Sequence, residues 1–137
     1  MGTSSRRKFI TDTGMAAMAG TAIFAAQQQL QGKDMKKVFI HHVFFWLKNA
    51  GNTADRDKLI EGLQKLSKVK TIKSFHIGKP ADTHRDVIES TYAVSWCAFF
   101  DNDADQASYQ TDPIHLKFVE DNSALWQKVI VYDSVDI

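Results

Sequence analysis

The sequence predicts an α+β fold in which four antiparallel strands carry their helices on one face. Three observations point there. Apolar, β-branched and aromatic runs alternate with helical stripes in the order β-α-β-β-α-β. Two strands are apolar on both parities, so both faces of the sheet must be covered. The chain has 137 residues, enough for one domain and too few for two.

The first element is the strand 37–47, KVFIHHVFFWL. Val38, Ile40, His42, Phe44 and Trp46 share one face, and Phe39, His41, Val43, Phe45 and Leu47 the other. We assign the first set to the helix side. A polar turn with Gly51 follows, and Thr53 is placed to cap a helix running to about Ser67. Its apolar residues Leu59, Ile60, Leu63 and Leu66 form one stripe. Residues 70–78, KTIKSFHIG, make a weaker strand, and a polar loop with Pro80 leads to a third strand over 91–100, TYAVSWCAFF. A short helix starts within Asp101–Asp105 and runs through Gln110. Asp112-Pro113 then begins a new helix, with Asp as N-cap and Pro in the first turn, carrying Ile114, His115, Phe118 and Val119 to about Ser123. Trp126 to Val135 is the last strand. This order is the split βαβ, ferredoxin-like arrangement. A second copy covering the bare sheet face would close a dimeric α/β barrel. The expected interface bears His41, Val43, Phe45, Cys97 and Phe99.

Ahead of the domain, residues 1–26 read as an export signal. Arg6-Arg7-Lys8 precede a 13-residue run of low polarity, GMAAMAGTAIFAA, shorter than the roughly 20 residues a spanning helix needs. The paired arginines followed by Phe9 and Ile10 resemble a twin-arginine signal, which predicts a periplasmic or otherwise exported protein. No clean cleavage site is evident, so any membrane attachment would be through an uncleaved signal. Residues 27–36 are a polar linker and 37–137 the folded domain. Without residues 1–26 the chain keeps 14 basic and 15 acidic residues, since Arg6, Arg7, Lys8 and Asp12 leave with them. Such balance provides no field for nucleic acid. Cys97 is the one cysteine, which excludes an intrachain disulfide and a cysteine-rich zinc site. No metal or organic cofactor is expected.

Five phrases in order resemble the stress-responsive dimeric α/β-barrel family, Dabb. They are His42-Val-Phe-Phe-Trp-Leu-Lys48, Phe75-His-Ile-Gly78, Tyr92-Ala-Val-Ser-Trp with Phe100-Asp101, Tyr109-x-x-Asp-Pro-x-His115 and Trp126-Gln-Lys-Val-Ile-Val-Tyr-Asp133. The resemblance spans about Lys36 to Asp136. One plant branch of that family contains polyketide cyclases that work without metal or cofactor. The likeness to that branch implies Tyr109 and His115 as the working pair, with His42 lining the cavity. Where that branch has a histidine on the third strand, Val94 stands here, and His-Pro-x-His reads Asp112-Pro113-Ile114-His115.

His115 falls in the first turn of its helix, where the dipole disfavours imidazolium while Asp112 favours it. A neutral imidazole serves as a general base, and the Tyr109 phenol as a hydrogen-bond donor to a developing oxyanion. Phe44, Trp46, Leu63, Val94, Trp96, Phe118 and Val131 are the expected apolar ligand-binding wall. Trp46, Trp96, Trp126 and Phe118 are expected to meet beneath the helices, as core or as pocket. Three functions fit: a cofactor-independent enzyme on a small aromatic or polyketide-like substrate, a non-catalytic stress-associated or ligand-binding homodimer, and a cofactor-free monooxygenase.

Overall fold

The computed structural model of the protein describes residues 37–137; the signal and linker assigned above lie outside them. Strand β1 is Phe39–Leu47, helix α1 Thr53–Leu66, β2 Ser74–Gly78 and β3 Val94–Phe100. Helices α2 (Asp103–Thr111) and α3 (Pro113–Asn122) follow, then a 3-10 turn at Ser123–Leu125 and β4 (Trp126–Val135). The sheet order is β2-β3-β1-β4, with every neighbouring pair antiparallel. This is the expected ferredoxin-like arrangement.

Local chemistry explains the boundaries. Asn52, not Thr53, caps α1: its side chain accepts from the Asp55 N–H at 3.1 Å. Gly51 supplies the positive φ, 79°, of the turn just before it. The Asp112 side chain accepts from the Ile114 N–H at 2.8 Å, and Pro113 opens α3 where its missing N–H costs nothing. β2 and β3 are shorter than their apolar runs.

Helices cover one sheet face. On that face β1 presents His41, Val43, Phe45 and Leu47, all buried. β3 presents Val94, Trp96, Ala98 and Phe100, each at most 1% exposed. Leu59, Leu63 and Leu66 of α1, Tyr109 of α2 and Phe118 of α3 complete the core. α1 and α3 cross closely: a Cβ on Gly62 would fall 2.6 Å from the Asn122 side-chain nitrogen.

The phase of β1 corrects the expectation. His42, Phe44 and Trp46 lie on the open face, opposite Cys97, Ser95 and, on β4, Tyr132, Ile130 and Lys128. His41, Val43 and Phe45 face the helices and cannot form the dimer surface, whereas Cys97 and Phe99 do lie on the open side. Both parities of β1 are apolar, so hydrophobicity alone does not distinguish them. What decides is the pairing with β3, which sets Val43 beside Trp96 and Phe45 beside Val94.

Candidate active site

The side chains able to do acid–base chemistry gather between the sheet and the α2–α3 break. The break places Tyr109, in the last turn of α2, and His115, in the first turn of α3, on the same side. Their rings are 4.7 Å apart between centroids. Tyr109 also lies edge-on to Phe100 at 5.1 Å and to His41 at 5.6 Å. A cavity of about 140 Å³ is bordered by His41, Tyr109, Gln110 and His115 on its polar side. Val43, Phe45, Leu66, Trp96, Phe118, Val119, Trp126, Val129 and Val131 form its apolar walls.

Each polar group has a defined hydrogen-bonding role. His115 Nδ1 lies 3.0 Å from the Gln110 carbonyl oxygen. A carbonyl only accepts, so Nδ1 carries the hydrogen and Nε2 keeps its lone pair. Burial pushes the His115 pKa below the ordinary histidine value, outweighing the opposing pull of the Gln110 carbonyl; nearby His41 lowers it further, while Asp112 raises it. Tyr109 is 1% exposed, and its oxygen accepts from Trp96 Nε1 at 3.2 Å. Burial raises its pKa strongly, so the phenol stays protonated and keeps its hydrogen to donate. His41, 4% exposed, sets Nδ1 2.6 Å from an oxygen of Asp133 on the neighbouring strand. The carboxylate accepts, so Nδ1 donates and the bond holds the ring in place.

Of the residues expected here, His115, Tyr109, Trp96, Phe118 and Val131 border the cavity. Leu63 and Val94 are fully buried core beneath it. His42, Phe44 and Trp46 do not reach it, because β1 turns them to the open face. Phe44 and Trp46 instead border a separate hollow of about 130 Å³ with Glu89, Tyr92, Ile130 and Tyr132. His41 takes the position expected of His42. Asp133 was not anticipated; it joins His41 through strand pairing across 92 positions, a relation with no local signal. Trp126 stacks on Phe118 at 5.9 Å and touches Phe45 at 5.0 Å, so the aromatic cluster forms without Trp46.

A wider groove of about 700 Å³ runs between α1 and α3. Four of its charged residues pair, Lys65 with Glu61 at 3.3 Å and Lys117 with Asp121 at 3.0 Å. It brings no imidazole or phenol to bear, so the chemistry belongs to the smaller cavity. Among the described residues, no group of three or more His, Cys, Asp or Glu is placed to hold a metal ion. None of the described helices is long and apolar enough to cross a membrane.

Residues 39–136 match the model of Dabb, the stress responsive A/B barrel domain. No curated protein matches the chain. Among solved structures, a Dabb-family protein of ferredoxin-like fold from Mesorhizobium loti is 21% identical, covering 74% of this chain and 98% of that one, with a TM-score of 0.62. A dimeric ferredoxin-like protein of unknown function from Thermobifida fusca is 14% identical, covering 74% and 93%, at 0.60. A hydroxynitrile lyase from Passiflora edulis is 18% identical, covering 74% and 95%, at 0.61. At these identities the likeness is one of fold.

Proposed function

The chain belongs to the stress-responsive A/B barrel family, Dabb, and from that premise we propose a homodimeric, cofactor-independent enzyme that moves a proton on a small single-ring carbonyl compound. The observation that carries this reading is convergence. A neutral imidazole with a free Nε2, a protonated phenol and a carboxylate-anchored second imidazole border one largely apolar cavity.

The step balances without a further reactant. His115 Nε2 takes a proton from the carbon next to the carbonyl, and the C–H electron pair moves into the new C=C bond. The C=O pair moves onto oxygen, which accepts a hydrogen bond from the Tyr109 hydroxyl. Trp96 Nε1–H donating to the phenol oxygen strengthens that donor. His41, held by Asp133, is the second site for returning or relaying the proton.

Cavity size restricts the substrate. A dry apolar cavity of about 150 Å³ accepts benzene, and sites for drug-sized ligands start near 300 Å³. At about 140 Å³ the cavity suits one ring and a short substituent. The lyase from Passiflora edulis supports an enzyme on this fold, without naming a substrate here. The apolar walls that make up most of the cavity support a second reading: a protein that binds such a molecule without turning it over.

The dimer rests on the open sheet face, where Ile40, Phe44, Trp46, Phe99 and Ile130 supply apolar area interspersed with His42, His76 and Tyr132. A surface of this kind calls for a partner. One sheet of four strands does not close a barrel, and the neighbour from Thermobifida fusca is dimeric. Export through the twin-arginine route is part of the same proposal. Its support is Arg6-Arg7 ahead of the 13-residue run, and Arg6→Lys with Arg7→Lys should leave the protein in the cytoplasm.

The test is hydrogen–deuterium exchange at the methyl carbon of acetophenone in D₂O, followed by NMR. The protein should accelerate exchange, and His115→Ala should reduce it by about 10²–10⁴-fold with the fold intact. Saturable binding of single-ring ketones with no exchange selects the second reading. Neither binding nor exchange across a panel of such compounds defeats both.

A further inference from the structure

We propose that the homodimer is acid-sensitive: His42 and His76, flanking Cys97 in the middle of the open face, drive the two chains apart when they take up protons. This regulation presupposes the dimer proposed above and concerns the face opposite the cavity.

One row of side chains crosses all four strands. His76 of β2 stands opposite Cys97 of β3, Cys97 opposite His42 of β1, and His42 opposite Tyr132 of β4. The His42 ring leans on Phe44, 4.2 Å between centroids. The His76 ring lies over Gly78, so closely that a Cβ there would come within 2.8 Å of it. Both imidazoles therefore lie along the open face of the sheet.

Among the described residues neither His42 nor His76 is ion-paired with a carboxylate; the histidines that are paired are His41 and His84. In the row itself stand a thiol and a phenol, and burial raises the Cys97 pKa, so the thiol stays neutral. Along β4, Lys128 sits over the Trp46 ring at 4.5 Å and adds positive charge. The loop before β3 brings Glu89, whose carboxylate accepts from the Thr91 backbone N–H at 2.9 Å and from the Thr91 hydroxyl. Through the sheet, Asp133 is engaged by His41 on the helix side. Burial already holds the His42 pKa below the ordinary value in the single chain, with His76 and His41 pushing the same way. A second copy removes more water and brings a second pair of imidazoles to the same interface.

The sign follows from linkage. The dimer binds fewer protons than two free chains, so association is full above the ordinary histidine value of about 6.5 and weakens as pH falls below it. Each proton of difference weakens association by up to about tenfold per pH unit.

The experiment is sedimentation velocity on the full chain at pH 7.5 and 4.5, over a hundredfold range of concentration, with circular dichroism on the same samples. We expect a dimer at pH 7.5, association at least about 100-fold weaker at pH 4.5, and a midpoint pH that falls as concentration rises. The double variant His42→Gln with His76→Gln should remain dimeric at pH 4.5. Equal association at both pH values, or a midpoint independent of concentration, overturns the switch while leaving the dimer standing. So does a double variant that dissociates over the same pH range as the unmodified chain. A single-chain mass at pH 7.5 overturns the dimer itself, and the switch with it.

Discussion

Tyr109→Phe removes one oxygen from the middle of the site, with two separable consequences. Tyr109 and Trp96 are each 1% exposed, and the indole N–H donates to the phenol oxygen at 3.2 Å. Without the hydroxyl, that N–H is buried and unpaired, which costs about 1–3 kcal/mol. In a domain of about 100 residues this lowers Tm by at least about 4 °C. Loss of the oxyanion donor costs a further factor of about 10²–10³ in turnover of the bound ketone. Trp96→Phe in the same background separates the two effects. With both partners apolar nothing polar is left unpaired, so the double variant should be more stable than the sum of the single losses by about 0.5–3 kcal/mol. Urea denaturation of the four proteins measures the coupling, and acetophenone exchange measures the donor. Additive losses of stability would refute the hydrogen bond. Unchanged exchange in a folded Tyr109→Phe protein would refute the donor role.

Two further substitutions probe other parts of the structure. Phe44→Glu should give a folded single chain by light scattering and circular dichroism, because it charges the open face. Val43→Glu, one residue earlier and 6% exposed in the core, should fail to fold; the reverse result would contradict the phase of β1. Gly62→Ala should destabilise the α1–α3 crossing by about 1–3 kcal/mol in urea, since Asn122 would have to give up its 2.9 Å bond to the Phe118 carbonyl.

The sequence makes the element order readable because period and punctuation are local properties. Asp112-Pro113 marks its helix start through a cap and a ring, and the Leu59–Leu63–Leu66 stripe marks α1 through spacing. The Tyr109 and His115 pairing is implied by the likeness to the cyclase branch, and the helix break between them brings the two rings together. The phase of β1 was not legible. A strand apolar on both sides has a period but no marked face, and the side of the sheet each histidine occupies depends on which β3 residues stand opposite. Asp133 was hidden further still, since nothing near it in the chain announces that β4 will lie beside β1. Capping by Asn52 in place of Thr53 is a shift of one position at a helix end, where several side chains could have served.

The two consecutive histidines of β1 make that strand a partition with different duties on its two sides. A side chain at position 41 belongs to the cavity and one at position 42 to the open face. Inserting a single residue ahead of them would move His41 opposite Cys97 and His42 into the core position of Val43, and deleting one would move Phe44 into that core position. Length variation should therefore be tolerated in the loop between β2 and β3 and rejected in β1. A library of one-residue insertions scored for folded protein would map that boundary.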